Sequence, residues 1–407
     1  MQTRLSSEFS GTPEGREADS ILRACVHCGF CTATCPTYQL LGNELDGPRG
    51  RIYLIKQMLE GEPVSEKTRL HLDRCLTCRA CETTCPSGVR YARLADIGRE
   101  IAQRKVPRGG VDAAVRFVLR KLIPHPQRFA PLLRAGQWLK PLLPPALRRK
   151  VPVTQQSGVR PLRVHARRML VLDGCVQSVA TPATNTACAR VLDRLGIQLV
   201  SADGAGCCGA VSHHLSAQEE ARAFMRRNID AWWPHIEQGA EAIVVTASGC
   251  GAQVKEYGEL LQYDTAYANK AKCVSALAKD ISEILVAEAL PPVEGGAGTC
   301  RVAFHSPCTL QHGQQLQGVV ESLLQRAGYR LTAVPDAHLC CGSAGTYSLL
   351  QPVLSKLLLA NKLDALQQDS PDVIATANIG CQLHLAGASR VPVKHWIELL
   401  DETLTVP

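Results

Sequence analysis

The sequence predicts an α + α/β protein: a helical, cysteine-bearing N-terminal domain followed by two tandem α/β repeats. Three observations predict it. Two runs of identical cysteine spacing lie within residues 25–86, a set of Cys-Cys-Gly motifs recurs about 130 residues later in the second half, and apolar β-branched runs there alternate with segments of helical period. At 407 residues the chain is long enough for two or three domains with full cores. Aromatic residues are only 4%, so burial must rest on Leu, Val, Ile and Ala.

Residues 1–20 are polar and lack the apolar region of a secretory signal, and they are expected to be a flexible N-terminus. Nineteen cysteines would suggest disulfides in a small secreted domain, but this chain is large and has no such start. Reduced thiols in the cytoplasm are therefore expected. No uninterrupted apolar run of about 18 residues is present, so nothing is expected to span a bilayer.

A domain over residues 21–105 is organised by Cys25-Val-His-Cys28-Gly-Phe-Cys31-Thr-Ala-Thr-Cys35-Pro36 and Cys75-Leu-Thr-Cys78-Arg-Ala-Cys81-Glu-Thr-Thr-Cys85-Pro86. Both read C-x2-C-x2-C-x3-C-P, the run that wraps a cubane iron-sulfur cluster in two-cluster ferredoxins, where the fourth cysteine serves the other cluster. The expected ligands are Cys25, Cys28, Cys31 and Cys85 for one [4Fe-4S] cluster, and Cys35, Cys75, Cys78 and Cys81 for the second. Two-residue gaps let a curled backbone aim three soft sulfurs and its own amides at one cube. Pro36 and Pro86 then turn the chain away. A zinc ribbon or disulfide pairs would leave a second complete four-cysteine run without a use.

Between the runs, Ile52, Ile55, Met58 and Leu59 predict a helix over 48–60 stopped by Gly61; further helices are predicted over 66–74 and 91–105. The clusters are thus expected on helices and loops. Arg49, Arg51 and Arg79 are placed either to offset anionic clusters or on a solvated face.

Residues 106–165 form a connector of another character. From Ala113 to Leu172 there is no Asp or Glu, while Arg116, Arg120, Lys121, Arg128, Arg134, Lys140, Arg148, Arg149, Lys150, Arg160, Arg163, Arg167 and Arg168 add positive charge to a chain of net charge +8. Prolines 124, 126, 131, 141, 144 and 145 break it into short basic amphipathic pieces suited to anionic lipid or an acidic subunit, or to a solvated linker. No nucleic-acid-binding fold or aromatic platform accompanies the charge.

The repeats are expected over 166–290 and 300–400. Cys175, Gly206-Cys207-Cys208-Gly209 and Cys250 match Cys308, Leu339-Cys340-Cys341-Gly342 and Cys381. Each repeat reads strand, helix, strand, Cys-Cys-Gly loop, helix and apolar strand, with parallel strands. Sites form beyond the carboxyl ends of such strands. Two further metal or redox sites are expected, one from Cys175, Cys207, Cys208 and Cys250, the other from Cys308, Cys340, Cys341 and Cys381; the alternative is buried packing thiols. Cys188, Cys273 and Cys300 have no counterparts. His213, His214, His305, His312 and His338 lie near these loops as ordinary hydrogen-bonding residues. There is no Ser-His-Asp order, phosphate-binding loop or dinucleotide fingerprint, so hydrolase, nucleotidase and nicotinamide chemistry are without support.

The paired cluster runs, with CCGSAGTY and TANIGCQLHLA downstream, resemble the iron-sulfur electron-transfer subunits of respiratory dehydrogenases for small hydroxy compounds. The glycolate oxidase iron-sulfur subunits are the nearest in pattern; the iron-sulfur subunit of anaerobic glycerol-3-phosphate dehydrogenase and the Cys-Cys-Gly subunit of heterodisulfide reductase are akin. The resemblance implies that flavoprotein subunits carrying FAD oxidise the substrate and that this chain passes electrons through its two [4Fe-4S] clusters toward a membrane acceptor, with contact to the membrane surface or quinone pool. It implies a peripheral place on the cytoplasmic face of the inner membrane. Lactate or glycerol-3-phosphate remains open as the substrate, as does a reductase working at the Cys-Cys-Gly sites. One departure bears on the last: heterodisulfide reductases end each such domain in C-x-x-C, whereas this chain has Cys250-Gly-Ala-Gln253 and Cys381-Gln-Leu-His384. Zinc, a modified four-thiolate cluster or an empty site are the remaining expectations there.

Overall fold

A computed structural model describes residues 1–144, 148–149, 151–288 and 298–405. Pro145, Lys150 and the end of the first repeat at 289–290 lie outside the described residues. The chain forms two compact units, residues 1–117 with 338–362, and residues 118–337 with 363–407.

The first unit is helical. Helix Pro48–Leu59 buries Ile52, Ile55, Met58 and Leu59. They share a core with Leu94, Ile97 and Ile101 of helix Tyr91–Lys105. At Gly98 the helices approach so closely that a Cβ would lie 2.6 Å from Ile55 Cγ1. Helix Glu66–Asp73 is capped by Ser65, whose hydroxyl accepts from the Thr68 amide. These three helices fall where apolar spacing and stop signals place them.

The flexible N-terminus does not hold. Residues 7–10 and 13–24 are helical, Phe9 is buried, and the terminal amine donates to the Cys25 carbonyl at 2.9 Å. Thr12 caps the second of these helices through the Gly15 amide at 3.0 Å, with Pro13 at its first position. The polar look of the segment hid an amphipathic stripe, Ala18, Ile21 and Leu22.

The second unit holds two four-stranded sheets. β1 (Arg167–Val171), β2 (Ile197–Ser201), β3 (Ile243–Val245) and β4 (Ala278–Asp280) lie in the order β2-β1-β3-β4. β5 (Arg301–His305), β6 (Arg330–Leu331), β7 (Val373–Thr376) and β8 (Val393–His395) repeat it as β6-β5-β7-β8. All pairs are parallel, with Met169 opposite Leu199 and Val171 opposite Val244, and, in the second sheet, Phe304 opposite Ala375. In the first sheet, helices Pro182–Arg194 and Gln218–Glu237 supply the crossovers that parallel strands require. The order reverses between β1 and β3, so the crevice beyond their ends is the predicted place for a site. β4 and β8 were not expected; unlike β3, neither Ala278-Lys-Asp280 nor Val393-Lys-His395 carries an apolar run.

The two sheets share one core, in which Met169, Val191 and Leu192 join Val302, Phe304, Val320 and Trp396. Polar contacts tie the repeats at equivalent turns: Ser248 donates its amide to the Ala377 carbonyl at 3.0 Å, and the Gly249 amide donates to Asn378 Oδ1 at 3.1 Å. His395 Nε2 lies 2.9 Å from the Thr246 carbonyl.

The expected second repeat over 300–400 is divided: His338–Lys362, with its Cys-Cys-Gly loop, belongs to the first unit. There the Tyr347 hydroxyl donates to the Arg74 carbonyl at 3.1 Å, a contact across 273 residues that no local pattern announces.

The connector contains helices Gly110–Leu122 and Pro126–Trp138, neither with a buried residue. Much of its charge is neutralised by acids elsewhere. Arg116 pairs with Asp73 and Asp112, Arg120 and Lys121 with Glu220, Arg160 with Asp173, and Arg167 with Glu241 and Glu288. Arg134, Lys140, Arg148 and Arg149 form no ion pair among the described residues.

Candidate metal centres

The two cysteine runs fold alike. In each, the second residue after the leading cysteine is left-handed, His27 at φ 56° and Thr77 at φ 53°, and so is the residue after the second cysteine, Gly29 at φ 87° and Arg79 at φ 63°. Non-glycine residues rarely adopt this region, and here it curls successive amides toward one point, the geometry of an anion-binding nest. The Thr77 amide lies 3.4 Å from Cys75 Sγ and the Val89 amide 3.5 Å from Cys85 Sγ. A short helix follows each loop, Phe30–Ala33 and Ala80–Thr83, and carries the third cysteine.

The structure brings the sets together in the crossed pattern. Cys25, Cys28, Cys31 and Cys85 line one cavity, and Cys35, Cys75, Cys78 and Cys81 line another. Cys81, Pro48 and Tyr91 border both. The donor set fits a thiolate-bound cluster: burial, and then the neighbouring Cys25 and Cys28, push the Cys31 thiol up to about 11, and burial drives Cys81 well above its usual range. Thiols so disfavoured as anions would become thiolates only with a bound metal to stabilise the charge. Every cysteine of the chain is free of disulfide bonding.

Charge is distributed unequally around the two cavities. Arg51 borders only the second and is 1% exposed. It donates from Nε to the His71 carbonyl at 2.7 Å and from Nη2 to Thr37 Oγ1 at 3.2 Å, and lies 3.7 Å from Asp46. Asp46 is itself buried and held by Arg74 at 2.9 Å and His71 at 3.0 Å. Burial opposes a thiolate at Cys75, but Arg51 and Arg99 outweigh it and hold that thiol below its ordinary value. Of the alternatives for the arginines, the solvated face is excluded for Arg51. Arg49 borders the first cavity and is spent on Glu44, at 2.6 and 3.1 Å. Arg79 borders the second. Sequence reasoning missed Arg99 and Tyr91; both lie on the helix after Pro86, at positions that carry no motif.

In the second unit, Cys175 follows β1, Cys207 and Cys208 lie after β2, and Cys250 lies on helix Ser248–Lys255 rather than in a loop. The four come together at the predicted crevice. Cys175 and Cys208 both hydrogen-bond Cys207, and Cys250 bonds Cys208, so Cys207 is pulled down as the shared acceptor while Cys175 and Cys208 are pushed up. The Gly209 amide lies 3.4 Å from Cys207 Sγ. Gly209 sits at φ 89° against helix Gln218–Glu237, where a Cβ would lie 3.0 Å from the Ala221 carbonyl; this is why glycine follows the cysteine pair. Arg227 lies over Phe224 beside the site, with Nε and Nη2 buried and without hydrogen-bond partners. Four soft donors joined by successive sulfur contacts have the chemistry of a thiophilic metal site.

The matching loop of the second repeat has the same local form: the Gly342 amide is 3.4 Å from Cys340 Sγ, and Gly342 is at φ 86°. Cys340 and Cys341 belong to the first unit, Cys308 and Cys381 to the second. Within the second unit, His305 Nδ1 is 3.0 Å from Thr376 Oγ1, Cys381 Sγ accepts from Asn378 Nδ2 at 3.4 Å, and the donor atoms of His305 and Cys381 lie within 4.8 Å of each other. His213 Nδ1 is 3.2 Å from Gln253 Oε1. Cys188 is buried in the shared core, as a cysteine without a counterpart should be.

Comparison with known proteins finds the cysteine runs and each of the two repeats in known families, the second repeat as one continuous match. Residues 21–89 match the 4Fe-4S dicluster domain family, and residues 169–255 and 302–386 match the cysteine-rich domain family CCG. The chain is 58% identical over 407 residues to the "Glycolate oxidase iron-sulfur subunit" of Escherichia coli (strain K12), covering 99% of both chains. It is 30% identical to the "Probable glycolate oxidase iron-sulfur subunit" of Bacillus subtilis (strain 168), over 94% of this chain and 91% of that one. Its likeness to "Lactate utilization protein A" of the same organism, 25% identical, covers 56% of this chain and 96% of the relative.

Proposed function

The chain belongs to the family of glycolate oxidase iron-sulfur subunits, and we propose that it carries electrons from a flavoprotein subunit that oxidises glycolate toward a membrane acceptor. The observation that carries this reading is the crossed arrangement of eight cysteines around two adjoining cavities. We assign Cys25, Cys28, Cys31 and Cys85 to one [4Fe-4S] cluster and Cys35, Cys75, Cys78 and Cys81 to the other. Bound there, the clusters supply one-electron transfer. The chain's own residues hold them: the left-handed loops aim amides at the sulfurs, Pro36 and Pro86 end the loops, and Arg51 and Arg99 counter negative charge at the second set. Lactate remains the second reading of the substrate, supported only by a likeness over 56% of this chain.

Cys175, Cys207, Cys208 and Cys250 hold a thiophilic metal, zinc or a further cluster, in this proposal. The missing C-x-x-C argues against a disulfide-reducing centre there.

The membrane contact is assigned to the end of helix Pro126–Trp138 and the turn after it. Leu132, Trp138 and Leu142 are 55%, 81% and 81% exposed. They lie in sequence among Arg134, Lys140, Arg148 and Arg149, four basic residues that form no ion pair among the described residues. Indole and leucine beside unpaired cations suit the headgroup region of anionic lipid. No helix among the described residues is long and apolar enough to cross a membrane.

The test is anaerobic iron, zinc and sulfide analysis with electron paramagnetic resonance. About eight irons and two interacting cubane signals are expected, reduced by glycolate only when the flavoprotein is present. Glycolate oxidation at full rate by the isolated chain would refute the reading.

A further inference from the structure

The two cysteine loops of the first unit are one motif used twice, so each is a control for the other. Their backbones match at the left-handed positions, yet their surroundings differ. In the second loop Leu76 is 6% exposed and Ala80 1%; at the same positions of the first loop, Val26 is 67% exposed and Phe30 59%. Cys28 is exposed, whereas its counterpart Cys78 is half-buried.

What covers the second loop is the chain itself. Arg99 donates from Nη1 to Thr77 Oγ1 at 2.7 Å and from Nη2 to the Cys75 carbonyl at 2.5 Å. Tyr347 is anchored on the Arg74 carbonyl immediately before Cys75. The first loop is held only from its backbone side, by the terminal amine on the Cys25 carbonyl at 2.9 Å and by Met1 Sδ 3.0 Å from His27 Nε2, and Val26 and Phe30 stay exposed. A valine and a phenylalanine beside an exposed cluster cysteine have the composition of an interface centre, where an aromatic anchor is buried by a partner.

We propose that the Cys25–Cys31 loop, with Val26 and Phe30 as its apolar anchors, is the surface on which the flavin-bearing subunit docks. The proposal rests on the reading of this chain as an electron-carrying subunit and adds where electrons enter it. Transfer weakens steeply with distance, so a flavoprotein must approach a cluster edge, and this is the loop whose cysteine reaches solvent. In a single turnover, glycolate gives two electrons and two protons to the flavin and leaves as glyoxylate. The reduced flavin then releases two protons to water and passes two electrons singly across this face, one to each oxidised cluster.

The experiment uses the complex isolated anaerobically through a tag on this chain, with the partner recognised as a protein whose flavin is bleached by glycolate. Val26→Glu/Phe30→Glu is expected to lose the flavoprotein on gel filtration and to lower glycolate-driven cluster reduction at least tenfold, while dithionite gives the wild-type resonance signals of both clusters. Phe30→Ala, which adds no charge, is expected to weaken the complex less but in the same direction. If the double variant keeps the flavoprotein and its clusters are reduced at the wild-type rate, the docking face is overturned and the electron-carrying role stands. If the wild-type complex contains no glycolate-bleached flavin, the role itself fails and the docking face with it.

Discussion

Replacing Arg51 by methionine separates charge from packing at the second cysteine set. Arg51 is 1% exposed and makes two hydrogen bonds besides its approach to Asp46, so the variant leaves the His71 carbonyl and the Asp46 carboxylate each with one partner fewer. Breaking a buried pair costs about 3–5 kcal/mol. Arg74 and His71 still hold Asp46, which places the loss at the lower end, ~3 kcal/mol. The same change removes a positive charge from the border of one cavity only. At an effective dielectric constant of about 20 and a separation of ~7 Å, a unit charge is worth ~2.4 kcal/mol. For one electron that corresponds to ~100 mV, since 59 mV is a tenfold change in the equilibrium constant. The second cluster should therefore become harder to reduce by roughly 100 mV, with a much smaller change at the first. Arg51→Lys should restore most of the potential but not the stability, because it keeps the charge and loses the fixed fork of donors. Redox titration followed by paramagnetic resonance, with anaerobic guanidinium unfolding alongside, measures both. Equal shifts at the two clusters, or none, would refute the electrostatic assignment.

Cys85→Ser should alter the signal of the cluster assigned to Cys25, Cys28 and Cys31 and leave the Cys75 set's signal in place, although Cys81 is its nearer neighbour in sequence; resonance spectra of the reduced variant decide it. His395 is fully buried, and burial lowers it from 6.5 to about 4 despite hydrogen bonds that favour the charged ring. Since the folded value is depressed, the second unit should hold its full contribution above pH 6.5 and lose up to about 3 kcal/mol as pH falls toward 4, with no further loss from this group below that. Guanidinium midpoints read from buried Trp232 and Trp396 against pH, compared with His395→Gln, check the slope. Removing Arg134 and Lys140 together should weaken binding to anionic vesicles by ~2 kcal/mol, about thirtyfold, at ~1 kcal/mol per basic residue, and Trp138→Ala should weaken it further; sedimentation with the vesicles at low and high salt measures both.

What the sequence made legible was whatever rests on local spacing. The two cysteine runs, helix Tyr91–Lys105 to the residue, helix Gln218–Glu237 and the succession of β1, β2 and β3 along the chain all follow from periodicity, stop signals and the repeat. The convergence of Cys175, Cys207, Cys208 and Cys250 followed from the rule for parallel strand ends. What escaped was set by distance along the chain. Tyr347 meets Arg74, Arg99 covers the Cys75 loop, and Glu220 neutralises Lys121 from 99 residues away. The connector looked more cationic than it is because its acids are supplied by other segments. The N-terminal helix escaped for another reason: Thr12-Pro13 is a capping signal, but the charged face around it diluted the apolar stripe.

The two cysteine sets show how one motif acquires two environments without changing its ligands. Burying an anionic centre disfavours its more negative state, as it disfavours a thiolate. Cys35, Cys75 and Cys81 are all buried, so the second set carries the larger desolvation, and it is there that Arg51 and Arg99 lie. The first set meets solvent at Cys28, and Arg49, which borders its cavity, is held by Glu44. Burial and counter-charge thus rise together at the second cavity, and their opposing effects bring a covered centre toward the potential of an exposed one. The same pairing explains why Arg51 is buried at all: Asp46 fixes it, Arg74 and His71 fix Asp46, and the residue after His71 and Arg74 along this short helix end is Cys75. The charge network and the ligand loop are therefore one local structure, and disturbing either should be felt at the second cluster before the first.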